Sequence, residues 1–285
     1  MTCHLGPQGE LWHRVGGYAA WRCAPHSGDV FDTLWISVAA PIEPHRHRVL
    51  PTGEPSLAIR RQRDAKGAVE SVEIVVCATY DRAFWYAPRP GEELIAFRLK
   101  PEFCARILGI EAREYFNMTP AAPPKILRDR LSRARRVAER DETAKHVASV
   151  LASDLIAVAN DHDCRAEGVA AIAARRIREA NGRLSIGSMA QDLNVSDRHL
   201  RRAFRDAVGC GPKTYARRAR LSAAAIAADA LDNPDWAAIA AEAGYHDQQH
   251  MIGEFTELVG LSPARAHAER KAQSVFSNTS AIVSP

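Results

Sequence analysis

The sequence predicts an α+β protein of two domains, in which a β-rich, barrel- or sandwich-like N-terminal domain precedes an all-α C-terminal domain. Up to about residue 100, short runs rich in Val, Ile and aromatic residues alternate with breakers that contain Pro and Gly. Beyond residue 165, the apolar residues instead recur with the period of a helix. A chain of 285 residues is also long enough for two domains of ordinary size.

The β-rich half contains four predicted strands, separated by turns such as Pro51-Thr52-Gly53 and Pro88-Arg89-Pro90-Gly91. These strands are Asp29–Ala39, Ser56–Arg61, Val69–Tyr80 and Leu94–Leu99. Three helices are predicted after them: Pro101–Leu108, Ile126–Ala138 and Glu142–Asn160.

Polar residues from Asn160 to Cys164 predict a linker between the domains. We therefore expect a β-rich domain with trailing helices at 1–160, a helical domain at 165–271 and a disordered tail at 272–285. In the helical domain, helices are predicted at roughly 166–180, 186–193, 197–208, 213–231, 235–243, 248–258 and 263–270. Asn233 is predicted to cap the helix that begins near 235, with Pro234 in its first turn.

The helical domain contains one pattern twice: a short apolar helix, a tight turn, a capping residue and a second helix that ends at glycine. The capping residues are Ser196 and Asp247. Five pairs of positions correspond at a separation of 51 residues: His199 with His250, Leu200 with Met251, Phe204 with Phe255, Val208 with Val259 and Gly209 with Gly260. Two helices joined in this way form a helix-turn-helix, whose second helix enters the major groove of DNA.

Charge is distributed unequally between the two copies. Residues 165–220 contain 13 Lys or Arg against 5 Asp or Glu, whereas residues 221–271 contain 3 against 8. Because neutralised phosphates release counterions and so drive association, we expect the first copy to be the stronger DNA anchor. The acidic second copy is expected to depend more on uncharged contacts.

The helical domain of this chain resembles that of the AraC-type (AraC/XylS) transcription regulators. The residues that carry the resemblance are Ile239-Ala240, Gly244-Tyr245, Asp247-Gln248, His250, Phe255, Gly260 and Ser262-Pro263. The resemblance covers about residues 166–270 and implies seven helices in two helix-turn-helix lobes, joined by one long helix. The N-terminal half resembles the β-rich sensor domain of one branch of this family, in the segments Arg48–Gly53, Leu57–Ile59 and Phe97–Pro101.

The resemblance places the base-reading residues early on each recognition helix. In the first lobe these are Arg198, Arg201 and Arg202, and arginine can bind guanine through two hydrogen bonds. Arg205 is expected to hold phosphate, and Ser196 and His199 complete this surface. In the second lobe the candidates are Gln248, Gln249, Ile252 and Gly253.

The second lobe departs from the pattern of the family. Many family members carry basic residues where this chain has Gly253, Thr256 and Glu257, and Glu254 adds a further negative charge. Because carboxylates repel phosphates, this lobe is expected to dock loosely, or through helix N-termini and uncharged donors.

These features predict a sequence-specific transcription regulator that binds double-stranded DNA, while the N-terminal domain senses a signal or mediates dimerisation. RNA polymerase, a small-molecule effector and a second copy of the chain are further candidate partners. Two alternatives remain: an enzyme or DNA-repair methyl acceptor with a DNA-binding tail, and a protein-interaction module that uses the acidic second lobe. Because the motifs GxSxG, GxGxxG, HExxH and the P-loop are absent, we expect no enzyme.

Other residues carry weaker indications. His45 and His47 are candidate metal ligands with Cys23, His26 and Asp29, but exposed loop histidines are favoured, and we expect no metal or cofactor. Phe84-Trp85-Tyr86 and Trp35 are candidate walls of an effector pocket, although packing of the barrel is favoured. Cys77 and Cys104 are expected to be buried structural cysteines.

The hydropathy and the cysteine content of the chain indicate its location in the cell. The sequence contains no run of 18 apolar residues, which is the length that a membrane-spanning helix requires. Met1–Glu10 also lacks the basic and apolar segments of a secretory signal. The six cysteines are scattered without a CxxC pair, which is typical of a reducing compartment. We therefore expect a cytoplasmic protein without a membrane partner.

Overall fold

The computed structural model describes residues 11–15, 18–23, 30–40, 46–51, 54–108, 114, 117, 121–161 and 168–276. Its N-terminal region is β-rich, with strands β1 (Leu11–Val15), β2 (Tyr18–Arg22), β3 (Phe31–Val38), β4 (His47–Val49), β5 (Ser56–Arg63), β6 (Val69–Cys77), β7 (Phe84–Tyr86) and β8 (Glu92–Leu99). Helices α1 (Pro101–Leu108), α2 (Lys125–Arg130), α3 (Ser132–Glu139) and α4 (Ala144–Asn160) follow.

Six of these strands form an antiparallel sheet in the order β1-β2-β3-β8-β5-β6, and β4 pairs with β7 in a separate ribbon. Side chains alternate across the sheet, so that Leu57 and Ile59 of β5 face one side and Ala58 faces the other. The first side packs against α1, α3 and α4 in the main core. The second side holds a smaller cluster around Ala58, on which Tyr86 of the ribbon packs.

The predicted strands are confirmed with modest shifts at their ends, and four strands were missed. Residue 29 lies outside the described residues, so the start predicted for β3 is not described. Strands β4 and β7 have three residues each, too few to show an alternating pattern. The single helix predicted over 126–138 is wrong, because the chain breaks at Leu131 (φ −93°, ψ 10°) into α2 and α3.

The C-terminal region is entirely helical within its described residues, 168–276. Its helices are α5 (Val169–Glu179), α6 (Ile186–Asp192), α7 (Asp197–Val208), α8 (Pro212–Asp229), α9 (Trp236–Glu242), α10 (Gln248–Val259) and α11 (Pro263–Phe276). The seven predicted helices are therefore confirmed. No helix in the described part of the chain is long and apolar enough to cross a membrane.

Two apolar cores divide this region into lobes that share α8. Tyr215 and Ala216, near the start of α8, belong to the first core with Leu200 and Phe204. The second core contains four residues from the later part of α8: Leu221, Ala224, Ala225 and Ala228. The alanines let the neighbouring helices approach α8 closely, so a single helix holds both lobes.

Two details of the helical prediction need correction. Asp235, and not Asn233, caps α9, since its side chain accepts hydrogen bonds from the backbone N–H groups of Ala237 and Ala238. Helix α11 continues to Phe276, so residues 272–276 are helical although a disordered tail was expected from 272. Residues 277–285 lie outside the described part of the chain.

The N-terminal region contacts both lobes. Asp81 accepts a hydrogen bond at 2.6 Å from Arg218 of α8, whose side chain is completely buried. Arg48 of β4 forms a two-pronged ion pair with Glu269 of α11, at 3.0 and 3.3 Å. The hydroxyl of Tyr215 donates a hydrogen bond to Glu54, which further connects the first lobe to the N-terminal region.

Candidate DNA-binding surface

The first recognition helix, α7, has well-defined ends and a well-defined buried face. The Ser196 hydroxyl accepts a hydrogen bond at 3.2 Å from the His199 N–H, and Gly209 ends the helix with φ 85°. Three apolar residues face the core: Leu200, Phe204 and Val208. The opposite face therefore points to solvent and carries Arg198, His199, Arg201, Arg202 and Arg205, all exposed.

These arginines are available to a ligand. Only Arg201 has a charged partner among the described residues, Asp197 at 3.1 Å, one helical turn earlier. Both side chains of this pair are about half exposed or more, and such pairs contribute at most ~1 kcal/mol. DNA can therefore replace Asp197 at little cost.

The second recognition helix, α10, repeats this construction. Asp247 accepts a hydrogen bond at 2.7 Å from the His250 N–H, which holds the pKa of its carboxyl below the usual value, with help from His246. Gly260 ends the helix with φ 79°. Gln248, Gln249 and Gly253 are exposed, and Ile252 is half-buried.

The turns of the two lobes differ by one residue. Val195 and Tyr245 donate equivalent backbone hydrogen bonds, to the carbonyls of Ala190 and Ala240, so the first halves of the lobes correspond at a separation of 50 residues. His246 then adds one residue before the cap of α10, and the recognition helices correspond at 51. The second turn is therefore longer, although the helices on either side match.

Glu254 does not present its carboxylate to solvent, as the expected repulsion of phosphate assumed. This side chain is only 8% exposed and points towards α8, where it pairs with Arg217 at 2.9 Å and with Arg220 at 3.0 Å. Glu257 is exposed but also pairs with Arg217, which lowers the pKa of its carboxyl. Sequence reasoning missed these pairs because their partners lie more than 30 residues apart in the chain.

The four aromatic residues proposed as pocket walls do not converge. Trp35 and Tyr86 both pack on the small cluster around Ala58. Phe84 instead stacks on Tyr80, with ring centroids 3.8 Å apart. Trp85 is 43% exposed and lies beneath the guanidinium groups of two arginines, Arg46 and Arg48.

The cysteines and histidines form no reactive cluster in the described part of the chain, where no three metal-binding side chains converge. His26, Asp29 and His45 lie outside that part. Cys77 is a free thiol that is half-buried and not fully buried as expected, and its removal from water still raises its pKa to about 12. Cys104 is buried, and its thiol lies 3.3 Å from the carbonyl oxygen of Lys100.

The family comparison agrees with this geometry. A family model described as a helix-turn-helix domain matches residues 189–268, from α6 of the first lobe into α11. No curated protein matches the chain. The C-terminal region thus contains a helix-turn-helix domain, and the chain is a DNA-binding transcription regulator.

Several solved structures are similar in part. The C-terminal domain of AraT, a response regulator from Geobacillus stearothermophilus, is 25% identical and has a TM-score of 0.34; the alignment covers 37% of this chain and 88% of that one. An apo variant of ToxT from Vibrio cholerae is 10% identical over 83% of this chain and 97% of its own, with a TM-score of 0.44. ToxT with a bound unsaturated fatty acid is 8% identical over 91% and 99%, with a TM-score of 0.41.

Proposed function

We propose that this regulator recognises a specific DNA site by placing α7 and α10 in two successive major-groove segments on one face of the duplex. The observation that carries the proposal is the presence of two capped, solvent-exposed recognition helices on lobes that share α8. At 1.5 Å per residue, the 18 residues of α8 span ~27 Å. One turn of DNA is ~34 Å, so α8 has the length scale that such a spacing requires.

The two helices take different roles in this proposal. Arg198, Arg201 and Arg202 read bases in the first groove segment, and Arg205 holds phosphate, assisted by the polar groups of Ser196 and His199. On α10, four residues act through uncharged contacts: Gln248, Gln249, Ile252 and Gly253. Glutamine suits adenine, and the apolar Ile252 suits a thymine methyl group.

The N-terminal region supplies control. We assign residues 1–160 to a sensor or dimerisation domain and 165–271 to the DNA-binding domain. The contacts of Asp81 with Arg218 and of Arg48 with Glu269 support this assignment, because they give a signal in one domain a physical route to both lobes. A small molecule or a second copy of the chain is the partner proposed for this domain, and RNA polymerase is a further proposed partner of the protein.

The enzymatic alternative has little support. A methyl-accepting cysteine must be reached as a thiolate, whereas burial raises the pKa of Cys77 to about 12 and that of Cys210 to about 11. We therefore propose a regulator without catalytic activity. The four free thiols in the described residues support a reducing, cytoplasmic location.

The interaction-module alternative is also weakened. Its motivation was the acidic composition of the second lobe, but Glu254 and Glu257 are engaged by Arg217, and Asp229 is engaged by Arg270. The second lobe therefore presents less unpaired negative charge than its sequence indicates.

Selection of duplexes from a random pool by the full-length protein, followed by hydroxyl-radical footprinting, tests the proposal. Two-lobe binding protects two adjacent groove segments, about one helical turn apart. Protection of one segment would exclude α10 as a reader, and no enrichment of any sequence would exclude sequence-specific binding.

A further inference from the structure

The second recognition helix has no lysine or arginine of its own between Gln248 and Val259. Phosphate contacts normally fix the register of a protein on DNA, and lysine and arginine supply most of them. Two arginines of α8 that contact α10, Arg217 and Arg220, are held by Glu254. The exposed arginine of the second lobe itself, Arg265, lies on α11 and not on this helix.

A loop of the N-terminal region lies at the end of this helix. Within this loop, Asp81–Ala83, the N–H of Ala83 donates a 2.7 Å hydrogen bond to the carbonyl of Leu258 in the last turn of α10. The last carbonyls of a helix have no partner within the helix, so the loop satisfies one of them. Arg48 donates to the next carbonyl, that of Val259, at 3.2 Å.

The loop is held rigidly in this place. Asp81 receives a 2.9 Å hydrogen bond from the side-chain amide of Asn117, and its own N–H donates to the oxygen of that amide at 3.0 Å. The same carboxylate pairs with the buried Arg218 of α8 at 2.6 Å. The loop is thus fixed to the N-terminal region, to α8 and to α10.

Arg82 is the exposed residue in the middle of this loop. It forms no ion pair with any residue that the structure describes. It is close enough to Glu257 for its charge to lower the pKa of that carboxyl, as a smaller contribution than that of Arg217. Because the neighbouring Ala83 is bonded to Leu258, Arg82 lies near the C-terminal end of α10, where the exposed stripe of that helix ends at Glu257.

The position of this stripe relative to DNA follows from helix geometry. Gln249, Gly253 and Glu257 are four residues apart and share one face of α10. Glu257 lies ~12 Å from Gln249 along the helix axis, and the major groove is ~12 Å wide. When Gln249 reaches the base edges, the end of the stripe lies close to a phosphate strand that borders the groove.

We infer that Arg82 of the N-terminal region contacts a DNA phosphate beside the second lobe, so that the β-rich region completes the DNA-binding surface. The inference rests on the proposed placement of α10 in the major groove. It assigns to Arg82 the register-fixing contact that α10 does not supply.

The test measures affinity against salt concentration for the full-length protein on a duplex selected in vitro. Arg82→Ala should reduce the slope of log affinity against log salt by about one, because one fewer counterion is released. The loss should be equal on a mixed-sequence duplex that was not selected, and Arg82→Lys should restore the slope.

Arg136→Ala is the matched control, since it removes the same charge from an exposed position on α3, a helix whose main packing partners all lie in the N-terminal region. The inference is overturned if Arg82→Ala and Arg136→Ala behave alike, or if Arg82→Lys fails to restore the slope, which would indicate a structural role. If the wild-type protein binds no duplex, the proposed function fails together with the inference; if it binds and only these comparisons fail, the proposed function stands.

Discussion

On α7, Arg202 projects from the face opposite to the buried side chains of Leu200 and Phe204. Replacing it with alanine should relax the preference at one base pair, because a two-pronged contact with guanine contributes ~1–3 kcal/mol of discrimination. Binding to unrelated sequences should change little. Quantitative selection on a library of single-base operator variants measures this preference.

Arg205→Ala is the control for Arg202, one turn further along the exposed face. As a phosphate contact, it should weaken binding to all sequences alike and reduce the salt slope by about one. If Arg202→Ala gave this uniform loss instead, Arg202 would be a phosphate contact and the assignment of base reading to it would be wrong.

Cys77 should be nearly inert towards alkylating reagents in the folded protein. Burial raises its pKa to about 12, so very little thiolate is present at pH 8, and the thiolate is the reactive form. Mass spectrometry after treatment with iodoacetamide should find Cys77 unmodified in buffer and modified in urea. Rapid modification in buffer would show that the thiol is accessible and would reopen the enzymatic alternative.

The role of a single residue could be predicted from the sequence where that role depends only on the residue's own helix. The caps Ser196 and Asp247 and the buried Phe204 and Phe255 follow from local spacing, which short-range geometry determines. The inward orientation of Glu254 depends on Arg217 and Arg220 of another helix. No local pattern contains that information.

Two helices, α8 and α10, are held together by ion pairs as well as by contacts between their apolar faces. Glu254→Ala should lower the free energy of unfolding by about 3 kcal/mol, because it leaves Arg217 and Arg220 partly buried without their shared partner. Urea denaturation monitored by circular dichroism measures this loss.

Glu257→Ala is the matched control, because its carboxylate pairs with the same Arg217 but is 53% exposed. An exposed pair contributes much less to stability than a buried one, so the loss should be clearly smaller than for Glu254→Ala. Equal losses for the two variants would contradict the claim that Glu254 is the structural member of the pair.

The elements themselves were largely predictable where they are long. Helices α5 to α11 follow from apolar periodicity, with clear caps on α7 and α10, and β5 and β8 follow from the short apolar runs Leu57–Ile59 and Leu94–Phe97. The division of 126–138 at Leu131 was not predictable in the same way, because the segment contains neither Pro nor Gly there. Packing of α3 on α4 and on the sheet accompanies that division, and packing is a tertiary property.

The stability of the whole molecule depends on pH through Glu54, which lies at the contact between the N-terminal region and the helical C-terminal region. Burial raises the pKa of this carboxyl above its ordinary value of 4.5, and Asp32 adds to the effect, whereas Arg98 and Arg178 oppose it. The folded state therefore favours the protonated form. The stabilisation is complete below about pH 4.5 and is lost as the pH rises through the higher folded-state pKa.

Glu54→Gln should remove this part of the pH dependence, because an amide stays neutral and its oxygen can still accept the hydrogen bond from Tyr215. Urea unfolding of both proteins at a series of pH values above 4.5 measures the difference. Relative to the wild type, the variant should gain stability as the pH rises. Parallel pH profiles would show that Glu54 does not titrate across this range.

The arrangement around α8 also has a consequence for regulation. One helix carries Arg218, which pairs with the N-terminal region, and Arg217, which pairs with the second recognition helix. If the protein binds DNA more tightly when both of these ion pairs are formed, a molecule that breaks the pair between Arg218 and Asp81 lowers the affinity for DNA by some factor. Thermodynamic reciprocity then requires the operator to change the affinity for that molecule by the same factor. An occupied operator would then itself be an effector of the N-terminal region.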